Sequence, residues 1–299
     1  MTGRGRDLLT GADPAYPRVL VEDRCRASVS PAREILALET TPPRPGAGGL
    51  VGSRAGSQLR SAIAECLPAD LASGSPLYLL LDDIAGASLV ANWAWSLWQA
   101  GWLERVRSGA EQAGASERNM VGVCVGFSPQ SPVVAEGLAL QQNLNQQVVD
   151  LAANGDPFGW HELARQDRPS ARRSRLIDVW FDGPVIKART HFQDSGPTPH
   201  GTRMAVHEYL VAITVDRASM TLVDIDADPR ILPFGYCPAA TLNIRNLVGT
   251  PVADLRRQVL AEFPKTLGCT HLNDTMRSFA EVPLLIGQLE DAMAVAEVG

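Results

Sequence analysis

The chain has 299 residues, of which 45% are hydrophobic and 20% charged, and its formal net charge is −6. These values are typical of a globular protein of one or two domains. The isoelectric point near 5.4 argues against a nucleic-acid partner, which requires a basic surface. Five cysteines without a framework spacing predict reduced thiols, and residues 1–13 lack the apolar core of a signal peptide. We therefore expect a cytoplasmic protein.

The N-terminal half predicts several short elements. Strands are expected at Arg18–Cys25 and Arg33–Leu38, because these runs are bounded by prolines and glycines. A helix is expected at Leu59–Cys66, ending at Pro68. Met120–Phe127 is predicted to be a buried strand.

The stretch Ile84–Trp102 is apolar and contains four tryptophans, so it resembles a membrane span. Polar residues and two glycines interrupt it, whereas a span needs about 20 nearly uninterrupted apolar residues. The pattern favours a buried, tryptophan-rich helix that Asp82 or Asp83 caps and Gly101 ends. We expect no contact with a membrane.

Two hairpins are predicted in the C-terminal half. Arg175–Phe181 and Val185–Phe192 flank Asp182-Gly183, which is a strong type I′ turn signal, and Met204–Val215 precedes Met220–Ile225 in the same way. Helical patterns follow, and they comprise a helix from about Ala239, Val252–Phe263, and the run from Leu272 to the C-terminus. Strands followed by helices predict an α+β fold, an antiparallel sheet with helices packed on one face.

The domain organisation follows from this order of elements. Residues 171–299 are expected to form the α+β domain. Residues 1–170 are expected to be an N-terminal elaboration that packs on the same core, adds strands to the same sheet and contributes the tryptophan helix. A linker rich in serine, proline and arginine separates the two parts, and the arginines at its end, Arg172, Arg173 and Arg175, are expected to be solvated.

The faces of the strands select candidate residues, because side chains alternate along a strand. His207 and Tyr209 continue the apolar stripe of the second hairpin and are expected to point towards the helices. Asp178 and Asp194 continue apolar stripes of the first hairpin, so each is a candidate buried carboxylate with a raised pKa. A position in water at the strand end is an equal alternative for Asp194.

Cys269 and His271 lie two positions apart in Gly268–Leu272. Cysteine and histidine become metal ligands, nucleophiles or proton carriers when the fold shifts their pKa. The Cys-x-His spacing matches no standard zinc motif. Each residue also has an ordinary structural explanation, since a free cysteine such as Cys237 is commonly buried and His271 can sit in the first turn of a helix.

The C-terminal half resembles a bacterial family of proteins of unknown function, domain-of-unknown-function family 2889. Four segments carry the resemblance, and the last is the most specific: Val206–Tyr209, Cys237–Ala240, Leu247–Gly249 and Gly268–Leu272. The resemblance implies no settled activity. Members are similar to proteins encoded near genes of aromatic-compound catabolism.

A fainter similarity is to the fold of iron–sulfur cluster scaffold proteins. Cys237 and Gly249 match a cysteine at a helix start and the glycine after that helix, Cys269 with His271 stands near a His/Cys pair, and His207 falls at the position of a first cysteine. One thiol is replaced and the His/Cys order is reversed. The similarity implies that the four Cys/His positions converge, which suits zinc, or iron if a position stays open. Without a metal, Cys269 at a helix start is a nucleophile candidate.

The leading functional hypothesis is an enzyme of small-molecule catabolism, aromatic or other, that works without an organic cofactor as a lyase, isomerase or hydrolase. Dinucleotide-binding, Walker, serine-hydrolase and zinc-protease motifs are absent from the sequence. His207 would be the general acid or base, Tyr209 would hydrogen-bond the substrate, and Asp194 or Asp178 would orient the imidazole. The alternative is a non-catalytic scaffold that binds a metal or a small molecule through His207, Cys237, Cys269 and His271. A small molecule is the expected partner, and a homo-oligomer remains open.

Overall fold

The structure is a computed structural model that describes residues 1–11, 17–106, 121–135, 145–153, 156 and 158–298. The chain divides into two compact units, one formed by Met1–Leu89 with Ala280–Gly299 and the other by Val90–Phe279. This division reflects which residues contact one another, and it does not test which part of the chain forms the family domain. The predicted boundary between an N-terminal elaboration, residues 1–170, and a family domain, residues 171–299, therefore stays a prediction.

Strands and helices are distributed as follows. The described strands are β1 (Thr2–Leu9), β2 (Arg18–Val29), β3 (Ile35–Thr41), β4 (Gln146–Val148), β5 (Arg172–Asp182), β6 (Val185–Pro197), β7 (Arg203–Asp216) and β8 (Thr221–Ile231). The described α-helices are α1 (Ser57–Cys66), α2 (Pro68–Ser73), α3 (Pro76–Leu89), α4 (Ala91–Ser96), α5 (Pro132–Ala135), α6 (Leu255–Glu262), α7 (Thr270–Arg277) and α8 (Val282–Val298). Short 3-10 helices connect them, among them Val125–Phe127, Cys237–Thr241, Ile244–Leu247, Val252–Asp254 and Ser278–Glu281.

The first unit contains its own antiparallel sheet, in the order β1-β2-β3. Buried side chains of β2 and β3, such as Ala27 and Ile35, share a core with Leu59 and Ile63 of α1 and Leu77 of α3. The predicted strands at the start of the chain and the predicted helix at α1 are confirmed. The expectation that the N-terminal strands extend the C-terminal sheet is wrong for β1–β3, because they pair only with one another; β4 alone fulfils it.

The predicted tryptophan helix is divided. It begins earlier than expected, at Pro76, where a missing N–H costs nothing. Asp82 and Asp83 therefore lie inside α3 and cap nothing, and the carboxylate of Asp23 accepts a hydrogen bond from the N–H of Leu77 instead, at 3.2 Å. Val90 leaves helical geometry and packs with the core of the second unit, so α4 starts as a separate helix.

The tryptophans of this segment differ in their environment. Trp93 is buried with Val206 of β7, and the indole N–H of Trp98 donates to the carbonyl of Pro197 at 2.8 Å. Trp95 is exposed and stacks on Trp102. A single buried helix is thus not formed. Among the described helices, none is both long and apolar enough to cross a membrane.

The buried strand predicted at Met120–Phe127 is wrong over the residues that the structure describes there. Residues 121–124 form turns and Val125–Phe127 forms a 3-10 helix. Gly122 has a φ of +82°, a left-handed conformation that interrupts an extended chain.

The sheet of the second unit has the order β4-β7-β6-β5. Strand β4 pairs with residues 203–205 of β7, and β8 pairs with residues 208–216 of the same strand. All its pairs are antiparallel. The β5–β6 hairpin turns at Asp182 and Val185 with Gly183 at a φ of +59°, as the Asp-Gly signal predicts. Both predicted hairpins and the α+β class are confirmed.

The inner face of this sheet is apolar and covered by helices. Tyr209, Val211, Ile213 and Val215 are at most 2% exposed, and the side chains between them are more exposed, which confirms the predicted alternation of β7. Helix α7 packs on β7. Polar side chains replace the apolar ones near the start of β7. A β-bulge lies there, between the pair Asp194–His207 and the pair Ser195–Ala205.

Candidate functional site

The bulge places two polar side chains directly opposite each other at the end of the apolar face. Asp194 of β6 and His207 of β7 are ladder partners, and Val206 is the extra residue. Bulges commonly re-aim a side chain next to a functional site. Here the carboxylate oxygen Oδ2 of Asp194 lies 3.3 Å from Nδ1 of His207.

A second imidazole reaches the same oxygen from helix α7. Nε2 of His271 lies 3.5 Å from Oδ2 of Asp194, and the rings of His207 and His271 stack with centroids 3.5 Å apart. His207 and His271 are each 8% exposed and Asp194 is fully buried. Neither His207 Nδ1 nor His271 Nε2 has a regular hydrogen-bond partner, so both distances are close approaches that fall short of hydrogen-bond geometry.

Arg173 holds the carboxylate from the other side. Its Nε and Nη2 donate to the two oxygens of Asp194, both at 2.9 Å, a bidentate geometry that fixes the plane of the carboxylate. Nη1 of Arg173 donates to Asp274 at 3.1 Å, and Arg277 donates to Asp274 at 3.0 Å. The side chains of Arg173 and Arg277 are only 4% and 3% exposed, so this chain of charges is internal.

The surroundings set the protonation states of the three groups. Burial alone would raise the pKa of Asp194, but the charge of Arg173, together with His207 and His271, holds it well below its usual range. Burial lowers the pKa of His207, although Asp194 opposes the effect. Burial and the neighbouring His207 lower the pKa of His271 well below its usual value. An ionised carboxylate therefore faces two neutral imidazoles near pH 7, and the expected raised pKa of Asp194 is wrong because Arg173 outweighs burial.

These three residues have the composition of a metal site. Asp194, His207 and His271 are the one group of three or more potential ligands, in the described part of the chain, whose ligand atoms all lie within 4.8 Å of one another. Two imidazoles and a carboxylate suit zinc or non-haem iron, with positions left for a water or a substrate.

The predicted set of four Cys/His residues is brought together only in part. His207 and His271 meet, whereas Cys237 and Cys269 lie outside the Asp194 group. Cys269 is beside the other nitrogen of His271, with Sγ 3.9 Å from Nδ1. The third member of the group is Asp194 and not a cysteine, because the bulge sets Asp194 opposite His207.

Tyr209 lies two residues along the same face and is fully buried. Its hydroxyl has the Cys269 thiol as a polar neighbour, in a geometry short of a regular hydrogen bond. Burial, and then the thiol of Cys269, raise its pKa well above the usual value. Tyr209 therefore faces the cysteines, and its predicted contact with a substrate stays a prediction.

Asp178 does not join the site. Its side chain is 39% exposed and pairs with Arg189 at 3.1 Å on the solvent side, because it alternates with the inward residues of β5. The predicted buried position of Asp178 is wrong. The predicted solvation of Arg173 is also wrong. Side chains alternate along β5, and Arg173 lies opposite Asp194 on the inner face.

Sequence reasoning missed Arg173 and Asp274. Arg173 shares one face of β5 with Ile177, Val179 and Phe181, and this spacing of two was a signal in the sequence. Asp274 follows His271 by three residues, which puts both on one side of α7.

Comparison with known proteins addresses the C-terminal part of the chain. Residues 171–284 match the model of a family described as protein of unknown function (DUF2889), which confirms the family resemblance for that segment. The segment includes Arg173, Asp194, His207 and His271. No curated protein and no solved structure matches the chain. The similarity to iron–sulfur scaffold proteins stays a prediction.

Proposed function

We propose that the protein is a small-molecule enzyme whose reaction centre is a divalent transition-metal site formed by Asp194, His207 and His271. One observation carries the proposal. His207 Nδ1 and His271 Nε2 are buried, lack a regular hydrogen-bond partner, and approach the same oxygen of Asp194. A buried nitrogen without a partner costs about 1–3 kcal/mol, and a shared cation would satisfy both nitrogens at once.

The protonation states support the same conclusion. Metal ligands must be deprotonated, so neutral imidazoles and an ionised carboxylate bind without prior loss of protons. Arg173 orients Asp194 through two hydrogen bonds, as the outer partner of a ligating carboxylate commonly does. Its positive charge opposes a cation nearby, and Asp274 offsets that charge from the far side.

The proposed reaction class is a lyase, isomerase or hydrolase step on a small molecule, with aromatic compounds included through the family resemblance. A metal with three protein ligands acts there as a Lewis acid or activates a bound water. The side chains of His207 and His271 are each 10% exposed, so only a small group reaches them. A cytoplasmic location belongs to the same proposal, because all five cysteines are free thiols.

A second candidate is catalysis without metal, and the bidentate Arg173–Asp194 pair favours it. An oriented, ionised carboxylate next to His207 would hold the imidazole in place and stabilise its protonated form, as in carboxylate–imidazole pairs of hydrolases. His207 would then be the general acid or base. A non-catalytic metal scaffold is the third outcome that the experiment below separates.

The test is metal analysis of protein purified without an affinity tag that binds metals. We expect the wild type to contain about one equivalent of zinc or iron more than Asp194→Asn and His207→Gln, and His200→Gln to match the wild type, since His200 is exposed. Wild-type protein that stays metal-free after growth with added zinc and iron would contradict the metal site and favour the acid–base candidate. Metal without turnover of any small molecule in an activity screen would favour the scaffold.

A further inference from the structure

Three thiols from distant parts of the second unit lie near one another beside the proposed metal site. Cys124 is on the irregular segment before α5, Cys237 opens a 3-10 helix after the sheet, and Cys269 precedes α7. The N–H of Val125 donates to the carbonyl of Gly268 at 2.8 Å. The residue after Cys124 is therefore hydrogen-bonded to the residue before Cys269.

Gly126 preserves the space between two of these sulfurs. A Cβ at this position would lie 2.7 Å from the sulfur of Cys237 and 3.9 Å from that of Cys124. The φ of Gly126 is not in the left-handed region, so the backbone itself does not require glycine. Close approach of the sulfurs does.

The hydroxyl of Tyr209 points to the same place. It is fully buried without a regular hydrogen-bond partner, and a buried polar atom of this kind calls for an explanation. A negatively charged sulfur would accept the phenolic hydrogen, because charge-assisted hydrogen bonds are the stronger kind.

We propose that Cys124, Cys237 and Cys269 form a second site that takes a thiophilic metal ion, with Tyr209 donating a hydrogen bond to a bound sulfur. This site is distinct from Asp194, His207 and His271 and does not depend on the function proposed above. Soft thiolate ligands select ions such as Zn²⁺, Cd²⁺ or Cu⁺. On binding, three S–H bonds are replaced by three sulfur–metal bonds, and three protons pass to the solvent.

Binding requires a small rearrangement. The three sulfurs are not all within 4.8 Å of one another, and a bound ion needs them closer, since each zinc–sulfur bond is about 2.3 Å. Cys124 is the half-buried member, so its side chain is the one with room to turn towards the other two sulfurs. Burial raises the pKa of Cys124 to about 11, and the thiol of Cys269 adds to this effect. The metal, and not ambient pH, therefore drives deprotonation.

The experiment is an ultraviolet titration of full-length protein with Cd²⁺ in a non-thiol reductant. Cadmium bound to thiolate absorbs in the ultraviolet, whereas cadmium bound by carboxylate and imidazole lacks this band. We expect the band to saturate at one equivalent and to weaken in Cys124→Ser, with at least tenfold lower affinity. Cys66→Ser is the matched control, because Cys66 is also a half-buried free thiol and lies in the first unit; its titration should equal that of the wild type.

The variant His207→Gln separates this site from the reaction centre. It should lose the metal of the first site and keep the cadmium–sulfur band. A wild-type protein without the band, or a band that Cys124→Ser leaves unchanged, would overturn the proposal. If Cys124→Ser changes the near-ultraviolet circular dichroism of the free protein, Tyr209→Phe is the test variant instead. We expect Tyr209→Phe to show a weaker cadmium–sulfur band and a lower cadmium affinity, and an unchanged band and affinity would overturn the proposal.

Discussion

His207 and His271 stack with their ring centroids 3.5 Å apart and an angle of 19° between the planes. One nitrogen of each ring faces Oδ2 of Asp194. Two imidazoles in this contact cannot both carry a proton without repulsion, and Arg173 already supplies a positive charge to the same carboxylate. The pair is therefore neutral in the folded protein, and this has consequences for stability and for metal binding.

The first prediction concerns pH. The pKa values of His207 and His271 are lowered in the folded state, so the unfolded chain binds more protons than the folded chain below about pH 6.5. The free energy of unfolding is then highest above that pH. It falls as the pH drops, by up to roughly 2.7 kcal/mol per pH unit for two histidines. Urea unfolding with a chelator present, followed by tryptophan fluorescence, measures this slope for the second unit, which contains all six tryptophans.

The control for this prediction is His271→Gln, which should reduce the slope between about pH 5 and 6.5 by up to half. Asp194 has a lowered pKa and contributes in a different window, since its stabilisation is lost only as the pH falls below about 4. A slope between pH 5 and 6.5 that His271→Gln leaves unchanged would show that this imidazole is not neutral in the folded state.

The second prediction concerns Arg173. In Arg173→Gln the fully buried Asp194 loses its bidentate partner, and an uncompensated buried charge typically costs about 3–5 kcal/mol. Arg189→Gln is the matched control, because Arg189 pairs with Asp178 across the same two strands with side chains 59% and 39% exposed. Exposed pairs contribute about 0–1 kcal/mol. Similar losses of unfolding free energy in the two variants would contradict the internal position of Arg173.

The third prediction concerns Gly126. In Gly126→Ala the new methyl group would meet the sulfur of Cys237 at 2.7 Å, and overpacking of this kind costs about 1–3 kcal/mol. Gly235→Ala serves as the control, because no atom lies within 4 Å of the corresponding Cβ position. Thermal unfolding of both variants tests this, and equal melting temperatures would show that the segment around Gly126 yields without cost.

Part of the site follows from the sequence and part does not. The alternation of β7 places His207 and Tyr209 on the inner face, and the start of α7 places Cys269 next to His271, because both depend on local periods. The pairing of Asp194 with His207 depends on a bulge at Val206, and a shift of one residue would face other side chains. The approach of Cys124 depends on an irregular segment that has no period to read.

The most direct test of the central claim is calorimetric titration of metal-free protein with Zn²⁺ at pH 7.5, comparing wild type, His271→Gln and His200→Gln. Because Asp194, His207 and His271 are proposed to share one ion, wild type and His200→Gln should each bind one equivalent more than His271→Gln, whatever the cysteines contribute. The same number of zinc ions bound with similar affinity by all three proteins would contradict the proposed reaction centre.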